Sequence, residues 1–275
     1  MTTTDAGQAA RASCWIIIPA RYASTRYPGK PLAHLRGADG VERTLIERSW
    51  RAATAVSGVD RVLVATDDER IAEEAARFGG EAVMTPAECR NGTERCAAAL
   101  SALGAEPDIV VNLQGDAPLT PAGIVSGLIE RMTADPDLPV ATPAVRCSPE
   151  VYAHLVEDRS AGRVGGTTMV VNRKQEALYF SKNVVPFVPA DWSGALPVHL
   201  HLGVYAYRPA ALRAYAAAPT SELEIAEGLE QLRFLDMGLR IGAVVTDPPD
   251  GILVELNNPS DVPLIEAELR RRGLP

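Results

Sequence analysis

The chain predicts an α/β fold with a mostly parallel central sheet, helices on both faces and a small antiparallel extension. Two observations carry this. In the first half, short apolar runs alternate with amphipathic segments in βαβα order, and near-continuous apolar strands belong in sheets covered on both faces. From about Leu138 the rhythm changes to strand-like segments without obvious helices between them, which suits an antiparallel addition. At 275 residues and 47% hydrophobic composition, the chain can bury a full core as one large domain.

Taken in order, Cys14–Ile18 reads as a buried strand and Thr44–Ala55 as an amphipathic helix. Arg61–Thr66 is a second strand, followed by a helix from Glu69 to Phe78 that Gly79 and Gly80 terminate. Glu81–Met84 is a short strand, Thr93–Leu103 a helix and Asp108–Leu113 a further apolar strand. Val140–Val145, Thr167–Asn172, Ala177–Ser181 and His201–Tyr207 follow as strands, with the Pro-rich stretch Val185–Pro197 crossing between elements. Helical pattern returns over Glu222–Met237, Gly242–Thr246 is a strand, and Pro259–Arg271 is a terminal helix with Asn258 or Ser260 at its cap. Residues 1–12 are polar, lack a signal-peptide core and read as a disordered lead-in, leaving 13–275 as one domain.

Bulk properties exclude several functions. A net charge of −8 argues against a nucleic-acid surface, and no apolar run approaches a membrane span. The four cysteines (Cys14, Cys89, Cys96, Cys147) form no CxxC pair and no zinc-like pattern with His34, His154, His199 or His201, which fits a reduced cytoplasmic protein. His199 and His201 share one face of a strand; a metal or anion site and a satisfied core histidine both accommodate that spacing.

The chemistry concentrates in Ile-Ile-Ile-Pro-Ala-Arg-Tyr-Ala-Ser-Thr-Arg-Tyr-Pro-Gly-Lys-Pro-Leu, residues 16–32. An apolar strand breaks at Pro19 into a loop bearing Arg21, Arg26 and Lys30 among small residues, which is the chemistry a phosphate needs at a strand's carboxyl end. Lysine is rare here: of 27 basic residues only Lys30, Lys174 and Lys182 are lysines. Lys offers a compact point charge on a flexible stem, suited to a phosphate that moves during reaction. A solvated loop is the plainer reading, but Pro28-Gly29-Lys30-Pro31 restrains the backbone on both sides of the lysine.

No GxGxxG follows the first strand, and Gly29-Lys30 lacks the remainder of a P-loop, so dinucleotide redox chemistry and P-loop hydrolysis lose ground. A later strand instead runs into Val-Val-Asn-Leu-Gln-Gly-Asp-Ala-Pro (110–118). Asp116 lies just past the strand, after a glycine that permits close backbone approach, where a carboxylate can hold Mg²⁺ against a triphosphate or simply cap a turn. In Asn91-Gly-Thr-Glu-Arg95 a polar loop enters a helix and offers donors and acceptors to a base or ribose, although a plain helix start needs the same residues.

With Ala-Thr-Asp-Asp, Ala-Leu-Tyr-Phe-Ser, His-Leu-Gly-Val-Tyr-Ala-Tyr-Arg and Leu-Glu-Gln-Leu-Arg, these motifs occur in an order that closely resembles the 3-deoxy-manno-octulosonate cytidylyltransferase family, from about Trp15 to Leu269. The resemblance implies a Rossmann-like nucleotidyltransferase fold, usually dimeric, using CTP and Mg²⁺. It carries over Arg21 and Lys30 as triphosphate ligands and Asp116 as a metal ligand. Ala20, Ser24, Thr25, Asn91, Gly92, Thr93, Arg95 and Gln114 fall on the nucleotide side; Lys182, His201, Glu230 and Gln231 fall on the acceptor side, and residues 183–222 form a dimerisation and acceptor-side extension.

The departures lie where the acceptor binds. Ala117 stands where the family usually has Glu, Asn257 where it has a metal-binding Asp, Lys182 where it has Arg and Thr168 where it often has Lys. Fewer negative groups at 117 and 257 would repel an anionic acceptor less. The reaction expected is CTP plus an anionic acceptor giving the CMP-acceptor and pyrophosphate, with Mg²⁺ on Asp116 and Asn257. The acceptor is a 2-keto-3-deoxy sugar acid or a small carboxylated phosphonate of the phosphonoformate type. The alternatives are a degenerate protein that binds CTP or a CMP-ligand without catalysis, and an enzyme using another nucleotide.

Overall fold

A computed structural model of the chain describes residues 11–24, 26–251 and 253–275, so most of the expected lead-in and Thr25 lie outside the described residues. Arg11, within that lead-in, hydrogen-bonds the Gly58 carbonyl and Asp60. The chain opens with β1 (Cys14–Ala20), a small hairpin of β2 (His34–Arg36) and β3 (Glu42–Thr44), and α1 (Leu45–Thr54). Then come β4 (Arg61–Thr66), α2 (Glu69–Arg77), β5 (Glu81–Met84), α3 (Gly92–Leu103), β6 (Ile109–Asn112) and α4 (Ala122–Ala134). The second half runs β7 (Val140–Arg146), α5 (Pro149–Ser160), β8 (Thr168–Val171), β9 (Ala177–Ser181), β10 (His199–His201), β11 (Tyr205–Tyr207) and α6 (Pro209–Ala217). Two short helices, α7 (Glu222–Glu227) and α8 (Leu232–Asp236), precede β12 (Ile241–Thr246) and the terminal α9 (Val262–Arg271).

One ten-stranded sheet takes the order β5-β4-β1-β6-β11-β7-β10-β8-β9, with β12 on the other edge of β7. Strands β5, β4, β1 and β6 are mutually parallel, and β12 runs parallel to β7. The antiparallel extension enters through β11, which lies antiparallel to both β6 and β7. Alternation along β1 explains the two cores: Ile17 packs with Leu63, Val110 and Tyr207 on one face, while Ile16 and Ile18 pack with Ile46, Val64 and Val125 on the other. Each such side chain is fully buried and contributes about 1.5–3 kcal/mol.

Local signals account for the helix boundaries. The Thr44 hydroxyl, the Asp68 carboxylate and the Asn91 amide oxygen cap α1, α2 and α3 by accepting backbone N–H groups of the first turn. Gly79, with φ +81°, closes α2 as expected. Asn258 caps the C-terminal segment in a reciprocal box with Asp261.

Three expectations change. Helices α5 and α6 occupy ground read as strand-only, and α4 fills the stretch before Leu138; α5 buries only Leu155 and Asp158, so it lacks a legible apolar face. The helix expected over Glu222–Met237 is two short ones, because Gly228 adopts φ +61° and ends the first. The single strand expected over His201–Tyr207 is split in two. From Ala141 to Ala144 β7 advances three residues while its partner advances five, from Ala206 back to His201, so Leu202–Val204 bulges out of the ladder. Among the described residues no helix is long and apolar enough to cross a membrane.

The α7–α8 lobe hangs on one ion pair. Arg233, 1% exposed, donates from Nε and Nη2 to both carboxylate oxygens of Glu224 at 2.6 Å, and from its η nitrogens to Glu94 at 3.2 Å. Its guanidinium also stacks 3.9 Å from the Tyr215 ring centroid. Removing one partner leaves the other charge buried without compensation. Arg233→Met is therefore expected to lower unfolding free energy by about 3 kcal/mol or more, read as a drop in urea midpoint; a midpoint within error of wild type would show that the pair does not hold the lobe.

Candidate active site

Parallel α/β sheets place loops and helix N-termini at the carboxyl ends of their strands, and this one does so at β1, β6 and the start of α3. There the described residues form two adjoining cavities. The smaller, about 300 Å³, is lined by Ala20, Arg21, Ser24, Lys30, Asn91, Gly92, Arg95, Gln114 and Asp116. The larger, about 1010 Å³, is lined by His201, Glu230, Gln231, Glu255 and Asn257 among others. Arg26, Asn91, Gln114 and Glu230 belong to both walls, so the two form one continuous cleft.

The β1 loop closes against the β6 loop because Gly115 has no side chain. A Cβ there would lie 2.8 Å from the Pro19 carbonyl oxygen. The close approach brings Lys30 Nζ to within 2.6 Å of Asp116 Oδ2, with both side chains largely shielded. Gly29, with φ +69°, turns the chain into the short 3₁₀ segment that begins at Lys30, and its backbone N–H donates to the Tyr22 carbonyl. Arg21 and Arg26 reach the same space from the exposed side; Arg21 has no ion pair among the described residues. Gly92 opens α3 against Asn112 Nδ2 and Gln114 Nε2, where a Cβ would sit 2.9 and 3.1 Å away; the helix N-terminus and the Gln114 amide line the small cavity, while Asn112 is fully buried and lines neither.

Several residues expected at the site sit elsewhere or are already engaged. Thr93 is fully buried: its hydroxyl contacts the Tyr207 hydroxyl at 2.7 Å, and its backbone N–H donates to Glu230 Oε2 at 3.1 Å. It positions Glu230 rather than lining the cavity. Arg95 lines the small cavity but is spent holding its wall, donating to Thr85 Oγ1 at 2.7 Å and Asp67 Oδ2 at 3.1 Å. Lys182 lies outside both cavities. Its backbone N–H donates to Glu227, and its ammonium passes over Gly228 at the rim. Asn257 does not present a free carbonyl: its Oδ1 accepts from Arg26 Nη2 at 2.7 Å.

The carboxylate near Asp116 on that C-terminal segment is Glu255, which the sequence reading missed. The Leu256 N–H donates to the Asp116 carbonyl at 2.9 Å, so Glu255 and Asn257 flank the point where the two loops touch. Loss of solvent around the carboxyl and the charge of Asp116 push Glu255 above the usual carboxylate range, although the residue keeps an exposed edge. Glu255 therefore returns negative charge to a region that Ala117 and Asn257 seemed to have emptied. Asp116, Glu255 and Asn257 make a set of hard oxygen donors, the chemistry Mg²⁺ takes.

The larger cavity sets two neutral polar groups, His201 and Gln231, beside the carboxyls of Glu230 and Glu255 and the guanidinium of Arg26. Burial pushes the His201 imidazole down to about 3, so the ring carries no charge near neutrality. Its Nε2 meets Thr142 Oγ1 at 3.0 Å, and Gln231 is held by the Tyr205 hydroxyl, which donates to Oε1 at 3.1 Å. Burial raises the Glu230 carboxyl, only partly offset by the Thr93 N–H. Among the described residues no group of three His, Cys, Asp or Glu could hold a metal, so the His199–His201 pair is not a metal centre of that kind. The cysteines are all free, and burial pushes the Cys14 thiol up to about 12, which leaves it unreactive.

Comparison with known proteins follows the same lines. A family model described as cytidylyltransferase matches residues 15–241. A 3-deoxy-manno-octulosonate cytidylyltransferase from Maricaulis maris is 46% identical, covering 94% of this chain and 97% of its own. One from Porphyromonas gingivalis is 38% identical, with coverages of 94% and 97%. A solved structure of a CMP:2-keto-3-deoxy-manno-octonic acid synthetase complexed with CTP matches with a TM-score of 0.81 at 35% identity, covering 95% of this chain and all of that one. The chain belongs to the cytidylyltransferase family, in the group of the 3-deoxy-manno-octulosonate cytidylyltransferases.

Proposed function

We propose that the protein transfers CMP from CTP to the anomeric hydroxyl of a 2-keto-3-deoxy sugar acid of the 3-deoxy-manno-octulosonate class, releasing pyrophosphate. The observation that carries this reading is the Lys30–Asp116 pair, 2.6 Å apart in a cationic pocket that opens onto a larger cavity bearing the hydrogen-bonding groups of His201, Gln231 and Glu230. A triphosphate needs the first and a polyhydroxylated acid suits the second. The CTP complex of the similar synthetase and the names of the relatives support the donor and the acceptor.

The acceptor oxygen attacks the α-phosphorus and the bond to the β-phosphate breaks. Arg21, Arg26 and Lys30 take up the negative charge that builds on the departing pyrophosphate. Lys30 changes partner as the nucleotide arrives, exchanging the Asp116 carboxylate for phosphate oxygens. The N-terminus of α3 and the Gln114 amide hold the nucleoside end, and His201 and Gln231 orient the acceptor. Positioning and charge neutralisation suffice, so no covalent enzyme intermediate is required. Asp116 and Glu255, with the Asn257 carbonyl once Arg26 turns to the phosphates, would hold Mg²⁺, which would supply positive charge to the phosphates when bound. A phosphonate acceptor loses its rationale with Glu255 in place, since the charge relief inferred from Ala117 and Asn257 is offset. The reaction is assigned to the cytoplasm, in keeping with four free thiols, and to a homodimer, in keeping with the exposed Phe187 and Trp192 on the 183–222 extension.

The decisive experiment supplies CTP, Mg²⁺ and either 3-deoxy-manno-octulosonate or phosphonoformate and follows pyrophosphate. Release with the sugar acid alone is expected. Silence with every acceptor would leave a nucleotide-binding protein, and a preference for UTP, ATP or GTP would move the donor. Lys30→Ala is expected to cut turnover by about 10²-fold or more with the melting temperature unchanged; near-normal turnover would remove Lys30 from the chemistry. Glu255→Gln is expected to weaken Mn²⁺ affinity of the CTP complex about tenfold, measured by electron paramagnetic resonance, with Asn257→Asp restoring it in the double variant. Unchanged affinity would leave Asp116 without Glu255 as a partner.

A further inference from the structure

Thr142 lies in the middle of β7, fully buried, with one hydroxyl proton and three neighbours competing for it. Oγ1 is 2.8 Å from the Val204 carbonyl oxygen, 3.0 Å from His201 Nε2 and 3.5 Å from the Leu202 carbonyl oxygen. Both carbonyls belong to the Leu202–Val204 bulge and have left the sheet ladder. A carbonyl can only accept, so the hydroxyl proton goes to the nearer one, Val204. The Oγ1 lone pair then faces His201 Nε2, and the contact is a hydrogen bond only if Nε2 carries a proton. Because the ring is neutral, Nδ1 is left bare.

Among the described residues that bare nitrogen has one long polar contact, from the Gln231 amide. The Gln231 amide stands 3.5 Å from Nδ1, at the far limit of a hydrogen bond, and is itself fixed by Tyr205. Phe180 packs edge-on against the imidazole with centroids 5.0 Å apart, and Tyr205 lies 5.4 Å away on a tilted plane, so the ring is held in place. His201 and Gln231 both line the large cavity, and the nitrogen not turned toward Thr142 is the one available to a ligand there.

We propose that Thr142 is a positioning residue: through the bulge it locks His201 as the Nε2–H tautomer, so that Nδ1 accepts a hydrogen bond from a hydroxyl of the acceptor. This rests on the sugar-acid reading and deepens it by giving the acceptor wall a polarity. A lone pair welcomes a hydroxyl and repels an anionic oxygen. An acceptor rich in hydroxyl groups is selected, and one carrying only carboxylate and phosphonate oxygens gains nothing at this position.

The wild-type protein tests the first half without turnover. A two-bond ¹H–¹⁵N spectrum, with His201 assigned by its loss in His201→Gln, is expected to show Nδ1 unprotonated and Nε2 protonated. A ring protonated on Nδ1 would overturn the proposal and leave the cytidylyltransferase reading standing, whereas failure of the acceptor assay with a correct spectrum would strike that reading instead. Thr142→Val keeps the side-chain shape and removes the acceptor for Nε2–H. It is expected to mix the tautomers and raise KM for the sugar acid about tenfold, with KM for CTP and kcat little changed, and Thr142→Ser is expected to restore both spectrum and KM. Equal losses in all kinetic constants, an unchanged KM, or no rescue by serine would each count Thr142 as a packing residue only.

Discussion

Strand β11 bears the constraint on which the site depends, because it is hydrogen-bonded to the last strand of the parallel half and the first strand of the antiparallel half at once. A strand flanked by β6 and β7 fixes the distance between the two halves. The cleft forms where they diverge beyond its start. Its bulge at Leu202–Val204 releases two carbonyls from the ladder and turns His201 onto the cleft wall. Asn112, which packs against Gly92 at the start of α3, stands opposite Tyr205, which lines the larger cavity, so both sides of the cleft rest on one ladder. A one-residue slip of β11 would invert its faces and separate the two.

Much of this was legible in the sequence, and the part that was not has a common cause. The Arg21–Lys30 loop, Asp116 and the α3 entry announce themselves because phosphate chemistry demands particular residue types in unbroken local runs. Gly115 is legible for the same reason, and its 2.8 Å approach to the Pro19 carbonyl gives the physical basis. Thr142 and Glu255 are invisible in sequence. A threonine in an apolar strand is ordinary β chemistry, and its importance comes from a bulge 60 residues away. Glu255 matters because the Leu256 N–H meets the Asp116 carbonyl, a contact no local pattern encodes. Thr93 and Arg95 show the limit of a local motif: both are written into it, but their side chains are engaged by Tyr207, Thr85 and Asp67, contacts the motif does not encode. Helix α5 escaped because a helix that buries one face only thinly leaves little periodicity to read.

The donor pocket shows how a charged site can be stable before its ligand arrives. Bringing Arg21, Arg26 and Lys30 together costs repulsion, which the Asp116 carboxylate offsets in part by pairing with Lys30, while the neutral Asn257 amide gives Arg26 a hydrogen-bond acceptor. Glu255 adds a second carboxylate nearby and pays with a raised pKa. In the proposed reaction the triphosphate takes Lys30 over from Asp116, so neither charge is left without a partner in the partly shielded cleft.

The acceptor pocket follows the reverse logic. Its hydrogen-bonding groups are held by neighbours that belong to the fold: the neutral Gln231 by Tyr205 and His201 by Thr142, and the Glu230 carboxyl by the N-terminus of α3. Charge would bind any anion, and the donor pocket next door already supplies a strong field for anions. Discrimination among acceptors must come from directional hydrogen bonds whose donors and acceptors cannot swap roles. A histidine free to exchange tautomers would accept either kind of partner and discriminate poorly. Fixing its proton from inside the sheet removes that freedom at little cost, because the bulge carbonyl that takes the threonine proton needed a donor in any case.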